Sequence, residues 1–125
     1  MNNLGNNKLI AEFMMGRKVE DGLNAPMMAY LDNEGNYYHE DELRYHNSWN
    51  WLMPVVEEIE EIALEEVKGV YKRHRFCVNF NFTQAEITDM STGMIVGYGD
   101  VGRKLDSTYE AVVEFINWYN KNKKA

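Results

Sequence analysis

The chain is poor in cysteine, proline and basic residues, and it lacks any long apolar run. Its one cysteine, Cys77, can make no internal disulfide, which fits a reducing cytoplasm. A lone thiol becomes a nucleophile only beside a base or cation that lowers its pKa, so Cys77 is expected to be a packing residue. With two prolines and no repeat, low-complexity run or dividing linker, the 125 residues read as a single domain, 1–125. No apolar stretch nears the roughly 18 residues that cross a membrane. Residues 1–8 show no charged segment followed by an apolar one, as a secretory leader would. A cytoplasmic protein without a membrane partner is therefore expected.

Bases are scarce overall but not evenly so. Thirteen stand against twenty acids, a formal charge of −7, which disfavours duplex nucleic acid as a partner because phosphate binding needs a dense basic footprint. The first 66 residues hold fourteen acids and four bases, and the remainder six acids and nine bases. A small anionic ligand would thus be drawn to the C-terminal half.

What is present reads as helices and an antiparallel sheet. Residues 8–15, with Asn6 or Asn7 as cap and Gly16 as stop, predict a first helix whose apolar side is Leu9, Ile10, Phe13 and Met14. Residues 27–31 and 37–39 read as a hairpin around Gly35. Ser48 caps a second helix, with Trp49, Leu52, Met53, Val56, Ile59, Ala63 and Val67 on one side, a disturbance at Pro54 and an end at Gly69. Phe76, Val78, Phe80 and Phe82 alternate with Cys77, Asn79 and Asn81, the pattern of a half-buried strand. Residues 85–88 and 94–98 follow as its neighbours. Ser107 and Glu110 spell a capping box that opens a last helix. The order of elements gives the fold class α+β, a layered domain with a small antiparallel sheet and three helices.

Several residues stand outside this scheme. At about 100° per residue, Trp51 lies roughly 200° from Trp49 and Trp118 roughly 160° from Ile116, off the apolar stripes. An indole there suits a subunit interface or a stacked ligand. Gly97, Tyr98, Gly99, Asp100, Val101 and Gly102 spell G-x-G-x-x-G after a strand, but the helix starts too late and no later strand completes a dinucleotide fold. A looser reading remains: the glycines let backbone N–H groups approach an anion, while Arg103 and Lys104 supply charge. Tyr45 and His46 join these residues as candidate ligand contacts. His39, Glu40, Asp41, Glu42 and His46 crowd metal-binding groups together without a zinc-type spacing, so no metal and no cofactor is expected. No spacing sets a nucleophile beside a base, and no catalytic residue is assigned.

Three segments resemble a known family: residues 9–14 (LIAEFM), 45–56 (YHNSWNWLMPVV) and 111–120 (AVVEFINWYN). They look like the short phage and prophage proteins grouped as the phage ABA sandwich domain. The resemblance implies an α/β/α layered domain working inside an infected bacterium, and it implies no activity. The expectation is a non-catalytic accessory protein that acts by binding, as a homo-oligomer, with capture of a small anionic nucleotide-type signal as one form of counter-defence. A module that inhibits a host protein is the first alternative, and a small nucleotide-degrading enzyme the second.

Overall fold

A computed structural model describes residues 3–15, 18–20, 28–31, 36–62 and 74–122. Helices α1 (Asn3–Met15), α2 (Trp49–Glu60) and α3 (Lys104–Asn122) accompany two three-stranded antiparallel sheets. The first sheet runs in the order β1 (Lys18–Glu20), β2 (Met28–Leu31) and β3 (Tyr37–His39), so the expected hairpin forms and gains a strand that was not foreseen. The second runs β4 (Phe76–Asn81), β5 (Gln84–Asp89) and β6 (Met94–Asp100), as the alternation predicts. The class is the expected α+β.

The β4–β6 sheet buries one face. Phe76, Val78, Ala85, Ile87 and Val96 meet Tyr109, Ala111, Val112, Phe115 and Ile116 of α3 in a shared core with Leu52, Val55, Val56 and Ile59 of α2. On the opposite face Asn79 and Tyr98 are exposed and Cys77, Glu86 and Thr88 are half-buried. Among the described residues no helix covers that face. Helix α1 instead bridges α3 and the first sheet, where Tyr30 of β2 is fully buried.

Two glycines decide how close α3 comes. A Cβ on Gly99 would overlap the Ser107 carbonyl, and one on Gly97 would overlap the Ala111 carbonyl. The helix backbone therefore rests directly on the strand. Between these pairs and the β5–β6 turn, a bulge at Ile87/Thr88 leaves Val96 as the extra residue of β6.

Several boundaries differ from expectation. Helix α1 begins at Asn3, which puts Asn7 inside it, 3% exposed, rather than at its cap. Helix α2 ends at Glu60, not at Gly69: past the Glu61 cap, the Ile62 carbonyl leaves the helix pattern and accepts from the Arg75 N–H at 3.0 Å. Its expected residues Ala63 and Val67 lie outside the described segments. Pro54 is accommodated within α2, whose first turn is tightened by Trp51 and Leu52 both donating to the Ser48 carbonyl. Helix α3 begins three residues before Ser107. The Ser107 hydroxyl and Glu110 carboxylate still accept backbone N–H groups, but those of Val101 and Asp100 in the incoming chain.

Gly99→Ala should cost about 3 kcal/mol of unfolding free energy by overpacking. Gly93→Ala, at a turn with φ of 79° and open space around it, should cost only about 1 kcal/mol. Urea denaturation of the two variants checks the ranking, and equal losses would contradict a backbone-on-backbone contact at Gly99.

Candidate functional site

A buried polar cluster that joins separate segments is built on Asn7. Its amide nitrogen donates to the Leu43 carbonyl at 3.2 Å and to His46 Nδ1 at 2.8 Å. Its oxygen accepts from the Tyr109 hydroxyl at 3.0 Å. Because an amide nitrogen can only donate, His46 Nδ1 is the acceptor and a neutral ring carries its proton on Nε2. Burial pushes the Tyr109 phenol up to about 12, so it stays a donor. Beside this cluster lies a cavity of about 230 Å³ lined by Asn3, His46, Val101, Asp106 and Tyr109. The buried Oδ1 of Asn3 has no hydrogen-bond partner. The cavity thus has both donors, on His46 and Tyr109, and acceptors, on Asn3 and Asp106, in its lining residues.

The nine residues expected to hold a ligand do not converge. Gly97 and Gly99 serve the approach of α3 and have no room for a ligand between strand and helix. Tyr98 lies on the far face of the sheet, 38% exposed. Arg103 is paired with Asp106 at 3.0 Å, and Lys104 places its ammonium 5.9 Å from the Phe80 ring centre. Both cations of the anticipated anion site are thus drawn to neighbours in the same chain. Only His46 of the nine lines the cavity.

The tryptophans are the clearest correction. Trp51 sits edge-on to Tyr38 and Tyr45, each 5.2 Å away centre to centre, while Tyr45 itself is buried. Trp118 packs on Phe76 and Phe115. Both rings are half-buried against this chain, and Trp49, taken for core, is the exposed one. The reference residues misled. The buried stripe of α2 is Leu52, Val55, Val56 and Ile59, with Trp51 at its margin, and in α3 Trp118 stands one turn beyond Phe115.

Arg75 completes the Trp118 surroundings. Its guanidinium lies 4.9 Å from the Phe76 ring centre and 5.8 Å from that of Trp118, and it holds Asp89 at 3.1 Å. Burial alone would raise the Asp89 pKa. The bonds from Arg75 and from the Ser91 hydroxyl and N–H outweigh it and set the carboxyl below its ordinary value.

The groups of interest for metal or nucleophilic chemistry are engaged apart from one another. Glu40 pairs with Lys8 at 3.2 Å, and Glu42 accepts the His39 N–H at 2.7 Å. His74 Nδ1 meets the Glu60 carbonyl, and Cys77 donates weakly to Asn79 at 3.7 Å. Among the described residues no three His, Cys, Asp or Glu side chains converge.

What sequence reasoning missed is the exposed apolar end of the sheet. The β4–β5 turn is formed by Phe82 and Thr83, so Phe82 leaves the inner face on which the alternation placed it. It is 88% exposed with φ of 57°, while Phe80 and Val101 nearby are 40% and 42% exposed. The signal was present: a phenylalanine that closes an alternating run and falls in the two-residue turn has no sheet to lie on. No family model matches the chain, nor does any curated protein or solved structure.

Asp89→Asn should lower stability by about 2 kcal/mol at neutral pH, the scale of a hydrogen bond to a charged group. Because the folded-state pKa of Asp89 is depressed, its contribution is complete above the unfolded value of 3.8 and is lost as pH falls through the folded value. Denaturation curves from neutral pH down to pH about 3 should show wild type and variant converging. A gap that stays constant across that range would contradict the assignment.

Proposed function

We propose that this protein is a non-catalytic binding protein that engages a partner protein through the end of the β4–β6 sheet bearing Phe80, Phe82 and Val101. The observation that carries the reading is Phe82. A phenylalanine in the left-handed region costs about 1–2 kcal/mol relative to glycine, and at 88% exposure it recovers nothing from the core. Aromatic anchors dominate the binding energy of protein interfaces. Phe80 and Val101 add apolar surface at the same end, because the pairings Asn81↔Gln84 and Gln84↔Asp100 bring the turn level with the chain entering α3. Lys104 over Phe80 gives the patch a basic edge on an otherwise acidic chain. The setting implied by the resemblance, an accessory protein in a phage-infected bacterium, is compatible with inhibition of a host protein. Capture of a small anion has less support, since Arg103 is already paired with Asp106.

The test separates binding from folding. Phe82→Gly should leave the melting temperature unchanged or raise stability by up to about 1 kcal/mol, while affinity capture from the native host loses a partner that wild type retains. Equal retention by both proteins, or a clear loss of stability in the variant, would sink the reading. In parallel, a panel of cyclic and ADP-ribose-type nucleotides should be recovered undepleted and unaltered after incubation. Depletion with intact recovery would restore anion capture, and altered mass would establish catalysis.

A further inference from the structure

The two edges of the β4–β6 sheet are treated differently. At β4, Glu60 Oε2 accepts the Val78 N–H at 3.3 Å and the Ile62 carbonyl accepts that of Arg75 at 3.0 Å. The end of α2 therefore occupies that edge. At β6 the Asp100 N–H reaches Glu110 Oε1 at 3.4 Å, away from β5. Alternate residues of an antiparallel strand direct their backbone groups to the same side. Tyr98 therefore also faces outward, and its N–H and carbonyl have no partner among the described residues.

Among the described residues this edge has little of the usual protection beyond a bulge. Native edge strands are shielded by lysine, proline, shortness or a covering element. β6 is seven residues long and has no proline or lysine, and Met94, Ile95 and Tyr98 are 63%, 52% and 38% exposed. A bulge at Val96 is its one interruption.

We propose that β6 pairs with β6 of a second copy, antiparallel about a two-fold axis, to make a continuous six-stranded sheet. Charge selects the occupant. The chain carries a net −7, so a contact with itself must fall where charge is absent, and residues 90–99 hold no ionisable acid or base other than the Tyr98 phenol. Antiparallel self-pairing sets this neutral stretch against itself and places the two Asp100 carboxylates at opposite ends of the shared ladder. A charged peptide would find no counter-charge along the strand, whereas an isologous contact meets its own complement. The edge is distinct from the Phe82 turn, so a dimer leaves the proposed partner surface free and duplicates it.

Light scattering after size exclusion and sedimentation velocity across a wide concentration range test this directly. The expected species has twice the 14.7 kDa chain mass. Ile95→Lys and Tyr98→Lys, both at exposed positions, should weaken the dimer at least about tenfold without changing the circular dichroism spectrum. Phe82→Gly should leave it intact. Hydrogen exchange of the wild type should show the Tyr98 amide protected more strongly as concentration rises. A wild type that stays monomeric, a dimer indifferent to both lysines, a dimer lost only with Phe82→Gly, or an unprotected Tyr98 amide would each overturn the proposal.

Discussion

The structure depends on helix α3 lying directly on strand β6. Without side chains at Gly97 and Gly99, the Ala111 and Ser107 carbonyls come down onto the strand, and Ile87, Phe76 and Phe115 close around the contact. Much follows from that approach. The first two turns of α3 become near enough for Ser107 and Glu110 to take the N–H groups of Val101 and Asp100, which fixes where the chain enters the helix. Glycines that could have served a ligand are consumed in packing. The fingerprint-like spacing is a record of helix–strand contact, two residues apart because that is the period of one strand face.

A second constraint ties the far side of α3 to the rest. Asn7 is almost wholly buried, and its amide satisfies a carbonyl at Leu43, a ring nitrogen at His46 and a hydroxyl at Tyr109. Three segments remote in sequence are thereby held in one orientation, since every bond of a buried amide that went unmade would carry a desolvation penalty. The cavity next to it inherits polar walls from the same residues. The unpartnered atom there is the Asn3 Oδ1, and Asp106 lines the same cavity at the N-terminus of α3.

Much of the fold was legible in the residues, and the reasons are local. Alternation from Phe76 to Val78, the pairing of Met28–Leu31 with Tyr37–His39 and the apolar period of α3 each follow from backbone geometry that neighbours in sequence determine. What was not legible depended on other segments. The early end of α2 reflects a bond from Arg75, and the burial of Trp51 reflects Tyr38 and Tyr45. A helical wheel reports angles around one axis and cannot know what stands beside it. Measured from Trp49 and Ile116, both tryptophans fell outside; measured from the residues that prove buried, they lie at the rim of the core. Lys18–Glu20 was too short and too polar to announce itself as a strand.

The candidate site was displaced for the same reason. Large aromatics off a helix stripe drew attention, although a helix surrounded by loops and a second sheet offers many ways to cover them. A hairpin turn offers none. Once the sheet ends at Asn81, the next side chain has no layer above or below it, and Phe82 must stand in solvent or against another molecule. Glycine would relieve the backbone and remove the exposed ring at one stroke, so folding supplies no reason for phenylalanine, and the proposed partner contact would supply one. By the same logic the indoles, for all their area, say little about partners: each already has one, and it is this chain.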